Sequence, residues 1–277
     1  MHCCKVEKNT VFNTHIGQFN LGEAIGKRFG CRFLSFDGKR HAYLLKPTPE
    51  LWTLILPHRT QILYLADISF ITLMLNIVPG SVVVESGTGS GSFTHSLART
   101  VAPNGHVHTF EFHQQRHEIA TREFTEHGIH PHLVTPLQAD ACLEGFGGEI
   151  RADAVFLDLP KPWEALAHAK AVMRRDSTSR ICCFSPCVEQ VQKTVASLDE
   201  LGFREIRMFE CLVKEGQVFR RPIKSLLNQS LPTNDVNSNS KRLREPEGPS
   251  TLVYSQSEEV RGHTSFLTFA SLFPESA

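Results

Sequence analysis

The sequence predicts an α/β fold: a mostly parallel sheet with helices on both faces, finished by an antiparallel hairpin. Three observations carry this expectation. The apolar run Val82-Val83-Val84 leads through Glu85-Ser86-Gly87-Thr88-Gly89-Ser90-Gly91-Ser92 into a helical pattern from Phe93 to Val101. A strand, a glycine-rich turn and a helix in that order open a doubly wound sheet. Apolar strand candidates then alternate with helical segments, which places helices over a buried parallel sheet. The last two strand candidates have no helix between them, as an antiparallel pair requires.

Taken in order, residues 1–50 read as a small β module. There is weak alternation around Cys31-Arg32-Phe33-Leu34-Ser35-Phe36, and Asp37-Gly38 supplies a hairpin turn into Ala42-Tyr43-Leu44-Leu45. Met1 to Thr10 carries no strand signal. Residues 51–213 and 262–277 form the α/β domain. Ala66 to Ile77 reads as a helix stopped by Pro79-Gly80. Strands are expected at Ser81–Glu85, His106–Phe112, Leu133–Gln138, Ala154–Leu159 and Arg180–Phe184, with helices over 91–102, 114–127, 162–174 and 186–202 between them. Glu205 to Cys211 and Thr264 to Phe273 make the closing pair. The intervening 214–261 is rich in Asn, Ser, Pro and charge, cannot bury a core and is expected to be disordered.

Composition excludes several classes. The chain of 277 residues has 29 Lys plus Arg and 29 Asp plus Glu, so bulk charge does not indicate a basic nucleic-acid binder. Its 14 histidines scatter without ligand spacing, and its eight cysteines lack a C-x-x-C pair, so neither a metal site nor a disulfide framework is expected. No signal peptide or bilayer-length apolar run is visible, and the expectation is a soluble intracellular protein without a membrane partner.

The glycine spacing bears on the ligand. In a dinucleotide fingerprint the third small residue would fall at Ser92, whereas here the third glycine is Gly91. A Gly-x-Gly-x-Gly turn after the strand-end acid Glu85 suits S-adenosylmethionine (SAM) better than NAD. SAM has no pyrophosphate to seat on the helix, and its ammonium favours a nearby carboxylate. The terminal hairpin is a second discriminator, because NAD-binding sheets continue parallel. The expected fold is therefore the Rossmann-like one of class I SAM-dependent methyltransferases, with Glu85, Ser86, Gly87, Thr88, Gly89, Ser90, Gly91 and Ser92 around the cofactor.

Other residues are candidates for chemistry. Glu111 ends the second strand, where a carboxylate accepts ribose hydroxyls; a solvated strand-end acid is the alternative. Asp140 follows the third strand and either meets the adenine amino group or caps a turn. Asp158 ends the buried run Ala154-Val155-Phe156-Leu157 and precedes Pro160-Lys161-Pro162-Trp163, at the mouth of the ligand crevice. In enzymes that methylate bases this loop receives the flipped base. A carboxylate there stabilises the charge that develops on an attacked adenine N1; the alternative is a helix cap. Gln61 is placed to bond cofactor, and Tyr64 either covers the base or packs in the core. His263, a lone histidine opening the last strand, is read as structural.

With these residues assembled, the chain resembles the catalytic subunits of tRNA (adenine-N1)-methyltransferases of the eukaryotic nuclear type. The resemblance runs through Pro47–Trp52, Leu56–Tyr64, Glu85–Ser92, Glu111-Phe112-His113-Gln114-Gln115-Arg116, Phe156-Leu157-Asp158 with Pro162-Trp163, Phe184-Ser185-Pro186-Cys187 and His263-Thr264. It implies methyl transfer from SAM to N1 of a T-loop adenosine in tRNA. It also implies a heterotetramer with a related non-catalytic subunit, and nuclear residence, for which Lys241-Arg242-Leu243-Arg244 is a weak import signal. By the same resemblance Gln61, the glycine loop, Glu111, Arg116, Asp140 and Asp158 hold SAM. Asp158 is the catalytic acid near the base, with Tyr64 beside it. Met1 to Thr10 departs from the family's N-terminal strands, so the β module is expected to be incomplete. A subunit that binds tRNA or partner without turnover is the alternative reading.

Overall fold

The fold was obtained as a computed structural model, which describes residues 2, 4–214, 216–222, 250–256 and 265–274. It divides into two compact units, Met1–Phe209 with Ser265–Ala277, and Glu210–Thr264.

At the N-terminus β1 (Val11–Thr14) pairs antiparallel with β2 (Gly17–Asn20). Asn20 then caps a single 3-10 turn by accepting a 3.1 Å bond from the Gly22 N–H. β3 (Arg32–Leu34) pairs with β4 (His41–Tyr43). Their connection is the Asp37-Gly38 turn read from the sequence, in which Asp37 Oδ1 accepts from the Lys39 N–H at 3.1 Å. Phe19 and Phe33, one from each strand pair, stack at 5.6 Å and share a small buried cluster with Leu21 and Ala24. The pair β1–β2 escaped the sequence reading, because four-residue strands carry almost no alternation.

Two helices lead into the main sheet. α1 (Pro49–Ile55) begins after the N-cap Thr48, whose hydroxyl accepts from the Leu51 N–H, and Pro49 needs no helical donor. α2 (Leu65–Met74) stops before the Pro79-Gly80 signal, because Asn76 takes a left-handed φ of 55°. Then come β5 (Val82–Ser86), α3 (Ser92–Val101), β6 (His106–Glu111), α4 (Gln114–Glu126), β7 (Val134–Gln138), β8 (Ala154–Leu157), α5 (Pro162–Val172), β9 (Ser179–Ser185), α6 (Val188–Glu200) and β10 (Arg204–Phe209). β13 (Phe266–Leu272) completes the sheet.

The strand order is β10-β13-β9-β8-β5-β6-β7. β5 through β9 are mutually parallel, and β13 runs antiparallel between β9 and β10. The expected closing pair is thus present. Chain order reverses between β5 and β8, so the crevice at their carboxyl ends is where this topology places a ligand. One face packs Val155, Leu157, Ile181 and Cys183 beneath α5 and α6. On the other, Phe93 of α3 meets Phe156 edge-on at 4.9 Å.

The second unit corrects the expectation of disorder at 216–222 and 250–256. β11 (Gly216–Pro222) and β12 (Ser250–Gln256) pair in antiparallel register from Gly216↔Gln256 to Pro222↔Ser250. Val218-Phe219 and Leu252-Val253-Tyr254 are strand formers whose signal was diluted by the polar residues around them. Residues 215, 223–249 (including Lys241–Arg244) and 257–264 (including His263-Thr264) lie outside the described residues. Among the described residues no helix is long and apolar enough to cross a membrane.

Candidate active site

The glycine loop is built by backbone requirements. Gly87, Gly89 and Gly91 take φ values of 96°, 53° and 73°. The Gly87 and Thr88 N–H groups donate to Phe110 O at 2.9 and 3.2 Å, which ties the loop to β6. A Cβ on Gly87 would overlap the main-chain oxygen of Asp158, and one on Gly89 would come 2.7 Å from Thr60 Oγ1. The loop after β8 is fastened to β5 in turn, because the Asp158 N–H donates to Ser86 O at 2.8 Å.

A second wall comes from the segment before α2. The Arg59 N–H donates to Ser90 Oγ at 3.0 Å, and Ser92 Oγ donates to Leu63 O at 3.0 Å. Arg59 Nη1 contacts both Glu123 oxygens at 2.8 and 2.9 Å, while Nη2 donates to Gly89 O at 3.3 Å. The guanidinium thereby clamps the loop to α4. A pocket opens between residues 60–63 and the loop, with Glu85, Phe156 and Asp158 in its lining. A larger groove of about 580 Å³ lies elsewhere, between α2 and α3, away from these groups.

Of the residues singled out from the sequence, the pocket brings together Gln61, Glu85, Gly87, Thr88, Gly89, Ser90, Ser92 and Asp158. Glu85 is buried and faces inward: its Oε2 accepts from Thr94 Oγ1 at 2.6 Å and Thr109 Oγ1 at 2.7 Å. Glu111 Oε2 accepts from the Gly89 N–H at 2.9 Å. Its Oε1 accepts from the His113 N–H and Arg116 Nε, each at 3.0 Å. Arg116 is therefore bound to Glu111 rather than standing alone. Gly91 N-caps α3. Asp140 takes the capping alternative, its Oδ1 accepting from the Cys142 and Leu143 N–H groups at 2.9 and 3.3 Å. Tyr64 is exposed at the N-cap of α2 and does not line the pocket. The sequence reading missed Arg59, Thr60, Thr94 and Thr109, whose roles depend on partners far along the chain.

The electrostatics suit a cationic ligand. Burial, reinforced by the charges of Asp158 and Glu111, pushes the Glu85 carboxyl up to about 7 against the pull of its two threonine bonds. Burial, with Glu111 beside it, likewise pushes Asp158 up to about 7. Carboxyls held near neutrality gain most when a positive group arrives. Bare glycine backbone, a strand-end carboxylate on β6 and a pocket of raised acids are what SAM, with its ammonium, sulfonium and ribose, requires.

Fold and pocket together define a class I SAM-dependent methyltransferase. A solved SAM-dependent O-methyltransferase from Thermotoga maritima superposes with a TM-score of 0.74 at 26% identity, over 99% of this chain and 89% of that one. The chain belongs to the GCD14 family, whose model, described as the tRNA methyltransferase complex GCD14 subunit, matches residues 40–272. It is 36% identical to the tRNA (adenine(58)-N(1))-methyltransferase catalytic subunit TRM61 of Cryptococcus neoformans over all of this chain and 79% of that protein. It is 38% identical to the TRM61 of Candida albicans, over 98% of this chain and 91% of that protein.

Proposed function

We propose that this chain is the catalytic subunit that methylates N1 of a T-loop adenosine in tRNA. The observation that carries the reading is Asp158, half-buried at the end of β8 and facing the glycine cradle from across the β5–β8 switch point. SAM, when bound, supplies an electrophilic methyl group. Adenine N1 already has a lone pair, so no general base is required to create the nucleophile. What the reaction needs is a negative group where positive charge develops, and an acceptor to orient the N6 amino group. Asp158 meets both needs, and its environment makes it gain charge as the base does. Gln61, the glycine loop and Glu111 hold the cofactor, with Glu85 tying α3 to β6 beside it.

The relatives' names support the substrate and the position. The even count of 29 basic and 29 acidic residues is no obstacle to tRNA binding where a partner subunit contributes basic surface. A heterotetramer with a related non-catalytic chain, and nuclear residence, follow from the resemblance and belong to the same proposal. The test is N1-methyladenosine formation on unmodified tRNA transcripts, with and without the partner, for wild type and Asp158→Ala. Full activity in the variant would remove Asp158 from the mechanism; no product under any condition would favour a subunit that binds without turnover.

A further inference from the structure

Against Gly91 of the glycine loop, outside the pocket lining, two histidines form a chain. His95 of α3 is buried, with 8% exposure, and its Nδ1 lies 2.6 Å from the main-chain oxygen of Gly91. Its Nε2 lies 2.9 Å from Nδ1 of His127, which is exposed at the C-cap of α4. Trp52 of α1 packs edge-on against His127 at 4.4 Å and tilted against His95 at 5.4 Å, fixing both rings.

The chemistry of the groups gives this chain a direction. A carbonyl oxygen only accepts, so His95 Nδ1 carries the hydrogen. In a neutral imidazole the other nitrogen is then an acceptor, so His127 Nδ1 carries a hydrogen and donates to it. Gly91 donates its N–H to Thr88 O at 2.8 Å, and its carbonyl is held from α3. It sits at φ 73°, and a Cβ there would come 2.9 Å from the Phe124 ring. The His95 side chain, together with its own main-chain N–H at 3.2 Å, grips that carbonyl.

We infer that His127 and His95 are positioning residues for the cofactor, the donor chain from His127 through His95 holding the Gly91 carbonyl and with it the loop in its binding form. The inference rests on the reading that this loop holds SAM. The surroundings keep the relay in one protonation pattern. Burial above all, then the charges of His127 and Arg59, hold His95 down at about 4 against the pull of the Gly91 carbonyl. His95 is therefore neutral across the physiological range. His127 donates from Nδ1 whether neutral or charged.

The side chain of His127 is exposed, so it is the place to intervene. Asparagine puts an N–H where His127 Nδ1 stands; leucine, of nearly the same shape, offers neither donor nor acceptor. The chain is titrated calorimetrically with SAM as wild type, His127→Ala, His127→Asn and His127→Leu. Loss of one net hydrogen bond predicts weakening by about 3- to 10-fold in the alanine and leucine variants. The asparagine variant binds within about twofold of wild type, and turnover at saturating SAM changes little in all of them. Equal binding by the asparagine and leucine variants would reduce His127 to packing and overturn the proposal. Nitrogen-15 NMR of the histidine rings gives an independent reading. His95 protonated at Nδ1 supports the chain, and protonation at Nε2 overturns it whatever the calorimetry finds. A wild-type chain that gives no SAM heat, yet shows the Nδ1–H tautomer, would overturn the cofactor reading of the loop while leaving the hydrogen-bond chain standing.

Discussion

The main-chain oxygen of Asp158 lies against the α-carbon of Gly87 so closely that a side chain on the glycine has no room. The glycine loop and the loop that presents the Asp158 carboxylate are thus fitted to each other through backbone atoms. Gly87→Ala must relieve both this overlap and a φ of 96°, a conformation costing about 1–3 kcal/mol for a residue with a side chain. The expected result is at least roughly tenfold weaker SAM binding with a lower melting temperature, read by calorimetry and thermal unfolding. Binding at wild-type strength would show that the two loops move apart freely.

The role proposed for Asp158 also carries a pH dependence. Burial first, and then the Glu111 charge, pushes its carboxyl up to about 7. Only the ionised form stabilises a cationic base, so turnover at saturating SAM should rise from pH 6 to pH 8 and then level. Asp158→Asn should abolish that rise and lower turnover by roughly 100- to 1000-fold, the range seen when a charge-stabilising group is lost. Glu111→Gln removes the second cause and should move the rising limb to lower pH. A limb unmoved by either change would assign it to another group, such as the tRNA itself.

How far the sequence disclosed all this follows from what each feature depends on. β5, β8 and β9 were legible because a strand buried on both faces reads as a short apolar run. The glycine loop and Asp158 were legible because bare backbone and a strand-end acid are demanded at particular positions. α1, β1 and β2 were not, since seven- and four-residue elements hold too little pattern to show a period. Neither was the Glu85 bracket, whose hydroxyls come from α3 and from β6. Nothing near Thr94 or Thr109 in the sequence singles them out. The hairpin β11–β12 was masked by the polar composition around it, although its own residues are strand formers.

Glu85 carries a stability consequence of its raised carboxyl. Its ordinary value is 4.5 and in the fold it is about 7. The folded chain therefore retains a proton that the unfolded chain releases between those values. The stabilisation is complete below pH 4.5 and is lost as pH rises through 7. Asp158 acts in the same direction. The melting temperature should fall between pH 5 and pH 8. Glu85→Gln, neutral throughout and still able to accept from Thr94 and Thr109, should flatten part of that fall. A variant whose profile parallels wild type would mean Glu85 is ionised in the fold across the range.

Arg59 provides the most severe test of how the pocket wall is held. Its side chain and that of Glu123 are only 14% and 15% exposed, and the pair joins the segment before α2 to α4. The same guanidinium reaches Gly89 O at 3.3 Å, so one side chain connects three parts of the site. Removing one member of a buried pair strands the other, at about 3–5 kcal/mol. Arg59→Met should approach that loss in chemical unfolding and should also weaken SAM binding, because Gly89 loses its restraint. Glu123→Leu alone should destabilise as well, by leaving Arg59 unpaired. The double variant Arg59→Met with Glu123→Leu should recover most of the stability, since no charge is left buried. It should not recover SAM binding, because a methionine offers nothing to the Gly89 carbonyl. A double variant that regains both would show that Arg59 serves the fold alone, and one that regains neither would show that this wall depends on the guanidinium for its shape.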